Sequence, residues 1–232
     1  MLVLALDTTT SSGSCALTRD GLVVCEQVRE TPSAHAEHLP GDLMSLLDRA
    51  GIALSAVDLF AVATGPGSFT GLRIGIATMQ GLAFAEGKPL IGVSALDALA
   101  RIAGSEGLVA TWVDAWRGEV YAALYDGGVE VEPPVVSRPE TLLEPLRGRS
   151  TRFLGDGARA HAEVIGRVMG DAGHIADPVA PPLARTIAIL ASDAESGDHP
   201  PHAIRPLYVR RTDAELARDA RSLVTKDARS LR

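Results

Sequence analysis

The sequence predicts an α/β protein built twice on one plan, with the second lobe reduced. Three observations carry this. Two apolar runs, LVLALD near the start and LVATWVD near the middle, each end on an aspartate. Each is followed by turn-linked runs of strand character and then by segments of helical spacing. The order strand, strand, strand, helix, strand, helix recurs in both halves, although the lengths differ and the residues do not visibly match.

Element by element, Leu2 to Leu6 reads as a strand ending on Asp7, and Ser14 to Thr18 and Leu22 to Arg29 as two more joined by the Asp20-Gly21 turn. Ser33 to Ala50 has helical spacing, with Leu39, Leu43, Leu46 and Leu47 on one side. Leu59 to Thr64 is continuously apolar, as in a strand buried on both faces. Ser68 to Glu86 is a long helix, Pro89 to Val93 a strand and Ser94 to Ile102 a helix. The second half runs through strands at Leu108 to Val113, Glu119 to Tyr125 and Val129 to Val131. A helix follows at Pro139 to Leu146, then a short strand at Arg152 to Leu154 and a helix at Ala158 to Met169.

This is the plan of the ribonuclease-H-like fold, and two such lobes make the architecture of actin, sugar kinases and chaperone ATPases. Ligands there lie between the lobes, near the carboxyl ends of the strands, where Asp7 and Asp114 fall. The expected division is an N-terminal lobe at 1–105, a reduced C-terminal lobe at 106–208 with proline-rich connections (Pro133-Pro134, Pro181-Pro182, Pro200-Pro201), and a charged tail at 209–232.

Bulk properties exclude several classes. A net charge of −7 argues against a protein that grips nucleic acid by itself. No apolar run reaches the roughly 18 residues of a membrane span, and MLVLALDTTT lacks the basic lead of a signal peptide. A cytoplasmic protein without membrane contact is expected. Cys15 and Cys25 read as free core thiols, because no CxxC is present. His35 and His38 share a helix face, but no third metal ligand accompanies them, and no metal site is expected.

The run GPGSFTGLRIG at 65–75 invites a phosphate-binding reading. Its spacing is G-x-G-x-x-x-G rather than the dinucleotide fingerprint, Pro66 removes an amide donor, and no lysine follows before Lys88. Ser68 instead suits an N-cap. Gly71 and Gly75, each costing a helix about 1 kcal/mol relative to alanine, read as clearance for close packing. A second stripe through Phe69, Leu72, Arg73, Ile76, Met79 and Gln80 makes this helix apolar on two sides. One side covers the sheet. The other calls for the preceding helix or a partner chain. Asp7-Thr8 opens DTTTSSGS, which is either a holder of metal-bound phosphate or a hydroxyl turn closing the first hairpin. No nucleophile elbow or Cys–His pair is present, and no catalytic residue is assigned.

Two stretches, MLVLALDTTTSSGSCAL and GPGSFTGLRIGIATMQGLAFA, closely resemble the bacterial TsaB (YeaZ) family, and PLIGVSALDALA, VDAWRGEVYAALY and PLYVRR agree with it. The resemblance is close over about residues 1 to 126 and looser over 150 to 211. It implies the two-lobed ATPase fold and a place in the machinery that makes N6-threonylcarbamoyladenosine in tRNA. In that machinery a TsaD-like subunit is catalytic and a TsaE-like ATPase completes the assembly. The resemblance further implies a non-catalytic member that pairs with the TsaD-like subunit through first-lobe helices and can form a homodimer. ATP and metal are then expected on the partner subunits, none is required by this chain, and tRNA is reached only through the complex. The expected interface comprises Phe69, Thr70, Leu72, Arg73, Ile76, Met79 and Gln80 with Leu39 and Leu43. The expected vestigial nucleotide cleft comprises Asp7, Thr8, Gly65, Gly67 and Asp114. Competing readings are an ATP- and metal-dependent transferase or ATPase using Asp7 and Asp114, and a peptidase. Whether Arg205, Arg210 and Arg211 touch tRNA is left open, as is the role of the tail.

Overall fold

The computed structural model describes residues 1–10, 13–29, 35–194, 197 and 199–209. Two five-stranded mixed sheets form the two lobes. The first contains β1 (Leu2–Asp7), β2 (Ser14–Arg19), β3 (Leu22–Val28), β4 (Leu59–Gly65) and β5 (Leu90–Ser94), in the order β3-β2-β1-β4-β5. β1 pairs antiparallel with β2 and parallel with β4, so it is central and buried along its whole length. The second contains β6 (Leu108–Asp114), β7 (Val120–Asp126), β8 (Val129–Ser137), β9 (Thr151–Leu154) and β10 (Gly173–Ile175), in the equivalent order β8-β7-β6-β9-β10. The expected fold class, two ribonuclease-H-like lobes, is what forms.

The helices are α1 (His35–Ala50), α2 (Phe69–Ala85), α3 (Ala95–Ala103), α4 (Pro139–Leu143), α5 (Asp156–Ala160), α6 (Ala162–Met169) and α7 (Ala184–Asp193). The reduction of the second lobe lies in its connections. Between β3 and β4 the first lobe places the 16-residue α1, whereas between β8 and β9 the second places the five-residue α4 and one 3-10 turn, Glu144–Leu146. The single helix expected at Ala158 to Met169 is two helices that meet at His161. β8 is longer than expected. It runs through Pro133-Pro134, which are accommodated because the strand lies at the sheet edge and its pairing with β7 shifts register there, between Ala122 and Leu124.

Three apolar clusters hold the chain together. α1 and α2 cover one face of the first sheet through Leu43, Leu46, Leu47, Leu72, Ile76 and Met79. The other face packs on α3 and α7, and this cluster continues into the second sheet through Val109, Val113 and Leu154. α3 is thus shared by both lobes. Tyr125 on β7 donates to Asp97 Oδ1 (2.6 Å), and Arg152 on β9 donates to the Ala103 carbonyl (2.7 Å). The outer side of the second sheet has its own core around Trp112 and Phe153, whose rings meet edge to face.

β10 and α7 carry no clear sequence signal. β10 has only three residues, too few for a periodic signal. α7 follows Pro181-Pro182, which masked it as a connection, yet its Ile187, Ala188 and Ala191 are buried against the first sheet. Residues 199–208 also return there. The Leu90 amide donates to the His199 carbonyl, the Leu207 amide to the Thr64 carbonyl, and Gln80 Nε2 to the carbonyls of Pro201 and Ile204. Residues 106–208 therefore supply both the second sheet and the closing elements of the first lobe. Ser33, Arg210, Arg211 and the tail to Arg232 lie outside the described residues.

Candidate functional site

The DTTT turn leaves β1 and folds back on Asp7. Asp7 Oδ1 accepts from the Thr9 amide (2.8 Å) and the Thr9 hydroxyl (2.6 Å), and Oδ2 accepts from the Thr10 hydroxyl (3.1 Å). Asp7 is wholly buried. Burial raises its pKa most, the three donors oppose that, and the Asp156 carboxylate of the second lobe raises it further. Both carboxylate oxygens serve the turn itself, which favours the hairpin-closing role over the phosphate-holding one.

The glycine run lies directly on this turn. Ser68 caps α2, its Oγ accepting from the Gly71 amide (3.2 Å), while the Ser68 amide donates to the Thr9 carbonyl (3.0 Å). Thr8 Oγ1 donates to the Gly71 carbonyl (2.8 Å). A Cβ on Gly67 would stand 2.3 Å from the Thr9 carbonyl oxygen, one on Gly71 2.2 Å from that of Thr8, and one on Gly75 2.3 Å from Thr8 Oγ1. These glycines make room for the Thr8-Thr9 turn (Gly65 faces Leu72 and the Leu207 carbonyl). The space beside these glycines is filled by the Thr8-Thr9 backbone and side chains, and the Ser68 and Gly71 amides are already paired, with the Thr9 carbonyl and Ser68 Oγ.

The second lobe repeats the arrangement with other residues. Asp114 Oδ1 accepts from the Trp116 amide (2.9 Å), closing its own turn, and the Asp114 amide donates to Asp156 Oδ1 (3.0 Å). Asp156 links the two turns: its carboxylate accepts from the Asp114 amide and lies near enough to Asp7 to raise its pKa. Asp156 was missed because Gly155-Asp156-Gly157 reads as a simple turn. Among the described residues, no three His, Cys, Asp or Glu side chains gather as a metal would require.

On the outer side of α2 the expected interface residues separate into two sets. Leu39, Leu43, Leu72, Ile76 and Met79 are 0–4% exposed and belong to the core between α1, α2 and the sheet. That corrects their expected place at a partner surface: α1 and the sheet already cover this stripe. Phe69, Thr70 and Arg73 are exposed, and Gln80 is half-buried under residues 201–204. Further along the same helix Ala77, Gly81 and Phe84 are exposed, Phe84 at 81%. Arg73 is the sole charge in the 17 residues of α2. Its guanidinium lies 3.8 Å from the Phe69 ring centre, and its Nε donates to Tyr208 Oη (3.0 Å). Tyr208 and Phe84 were not singled out from sequence. The near absence of charge along α2 was the available signal.

A family model described as tRNA N6-adenosine threonylcarbamoyltransferase (TsaD) matches residues 23–148. The TsaB protein of Bacillus subtilis, named for tRNA threonylcarbamoyladenosine biosynthesis, is 31% identical over 223 residues, covering 93% of this chain and 96% of that protein. The chain belongs to the TsaB (YeaZ) family. The solved YeaZ structure from Pseudomonas aeruginosa superimposes with a TM-score of 0.73 at 33% identity, covering 89% of this chain and 99% of that one. A protein of uncharacterised function from Mycobacterium leprae is 33% identical over 218 residues, and the chain spans only 56% of its length. TsaB-like residues thus account for both lobes of this chain. No helix among the described residues is long and apolar enough to cross a membrane.

Proposed function

We propose that this chain is a non-catalytic subunit for tRNA N6-threonylcarbamoyladenosine formation that docks a TsaD-like catalytic partner through the exposed face of α2. A TsaE-like ATPase joins the assembly, ATP and metal reside on the partner subunits, and tRNA is met only in the complex. The observation that carries this reading is α2 itself. It is a long, capped helix with one charge, its inner stripe already packed and its outer stripe of Phe69, Ala77, Gly81 and Phe84 open. Small residues at Ala77 and Gly81 let a second helix approach closely. The filling of the glycine run by the Thr8-Thr9 turn supports the absence of an independent phosphate site. The same face is also available to a second copy of the chain.

Reconstitution with the TsaD-like and TsaE-like proteins of the same organism tests this. Modification should require the chain, and a full rate without it would sink the proposal. The alternative, an ATP- and metal-dependent enzyme using Asp7 and Asp114, predicts ATP binding by the isolated chain. Calorimetry with ATP and magnesium separates the two.

A further inference from the structure

A cavity of about 380 Å³ lies away from both α2 and the DTTT turn, between α3, α7 and the edge strand β3. That volume falls within the range of small-molecule sites. Its walls combine apolar surface (Ile102, Pro181, Pro182 and Ile189) with three charged side chains, Arg101, Arg185 and Glu26. None of the three is in an ion pair within 4 Å or a side-chain hydrogen bond among the described residues, although Arg185 lies near enough to Glu26 to lower its pKa against the raising effect of burial.

Two further features favour an anion here. The cavity lies at the first turn of α7, a ten-residue helix. The Ala184 amide donates to Ser14 Oγ and the Ile187 amide to the Leu183 carbonyl, so the amides of Arg185 and Thr186 remain as first-turn donors. The side chain of Thr186, only 8% exposed, lines the cavity and makes no hydrogen bond among the described residues. Its hydroxyl is not among the enclosed polar atoms that lack a partner, so it faces the open space of the cavity and is available to a ligand there.

We infer that this cavity binds a small organic monocarboxylate with an apolar body. Arg101 and Arg185 supply charge, Thr186 and the first turn of α7 supply hydrogen bonds, and Ile102, Ile189 and the two prolines cover the hydrocarbon. Glu26 sets the charge class. Two guanidiniums and one carboxylate leave a net of one positive charge, which suits one carboxylate and disfavours a phosphate dianion. This inference is independent of the α2 docking face.

The test is an amide NMR titration of the full chain with 4-methylpentanoate and, separately, inorganic phosphate. The carboxylate should shift amides at 101–102 and 183–189 saturably, and phosphate should not. Arg101 and Arg185 are exposed, so alanine at either leaves the core intact. Each replacement should weaken carboxylate binding by about tenfold, as loss of a charge-assisted hydrogen bond does. Glu26→Gln should tighten it and admit phosphate. The inference is overturned if no saturable shift appears at about 10 mM carboxylate, a limit well above the millimolar affinity of a weak site. Equal binding by Arg101→Ala and Arg185→Ala, or equal binding of phosphate with Glu26 in place, would overturn it too.

Discussion

The two lobes solve one problem in the same way and then diverge. In each, a glycine-bearing loop after the fourth strand crosses the end of the first strand. In the first lobe Gly67 and Gly71 press on the carbonyls of Thr9 and Thr8. In the second, a Cβ on Gly155 would stand 1.9 Å from the Trp112 carbonyl oxygen and one on Gly157 2.9 Å from the Val113 carbonyl carbon. Backbone meets backbone in both, so neither site tolerates a side chain. The next element is where they differ. The first lobe continues into 17 residues of α2 with an open apolar stripe. The second continues into α5 and α6, five and eight residues long, with Arg159, Glu163 and Arg167 on them. The glycine loops therefore secure both lobes, and of the helices that follow them α2 is the one that leaves a long apolar stripe open.

The comparison breaks most sharply at the glycines. Gly71→Ala and Gly155→Ala should each destabilise by about 3 kcal/mol or more, since the obstructing atoms are main-chain carbonyls that cannot rotate away. Gly155 adds backbone strain because its φ is +109°. Urea unfolding measures both, and a loss under about 1 kcal/mol at either position would mean that its loop shifts freely.

Next in size is the contrast between the two outer helix faces. Ala77→Glu should reduce capture of the TsaD-like partner by more than about tenfold, because a carboxylate is then desolvated in the contact. Arg167→Glu on α6 should leave capture unchanged. Gel filtration of the mixtures reads this, and equal effects would move the docking surface off α2. A charge at Ile76 is a poor probe, because Ile76 is 4% exposed and the fold would fail first.

Thr8→Val tests the link between the DTTT turn and α2. It removes one buried hydrogen bond to the Gly71 carbonyl and should cost about 1 to 2 kcal/mol in urea unfolding. No change would mean that Gly71 packs on the turn without needing the bond.

The junction of the lobes should respond to alkali. Burial, then the hydrogen bond to Asp97, raises the Tyr125 pKa above its ordinary 10.0. A raised folded-state pKa gives stability that is whole below 10.0 and is lost as pH climbs toward the folded value. Tyr125→Phe should cost about 1 kcal/mol at neutral pH and flatten the decline above pH 10. A decline as steep in the variant would assign it to other groups.

Much of this was legible in the sequence. Residues such as Leu2–Asp7 and Leu59–Thr64 announce buried strands through continuous apolar runs. Ser68 announces a cap, and the missing lysine and displaced third glycine argue against a phosphate loop. These are local signals, carried by adjacent residues. The open stripe of α2 was only half legible. Leu72, Ile76 and Met79 have the same apolar character whether α1 or a partner covers them, and periodicity does not say which. α7 was illegible because ARTIAILASD is short and follows two prolines.

The sequence by itself determined the two-lobed α/β plan, the capped helix after the glycine run and the family, because each rests on residues close together in the chain. The tertiary structure alone decided what the glycines face, which stripe of α2 stays open, that α7 and residues 199–208 return to the first lobe, and that Tyr208 holds Arg73. Each of these joins atoms from segments distant in sequence. Their proximity follows from packing two sheets around α3, a global balance of burial and hydrogen bonding that no local pattern encodes.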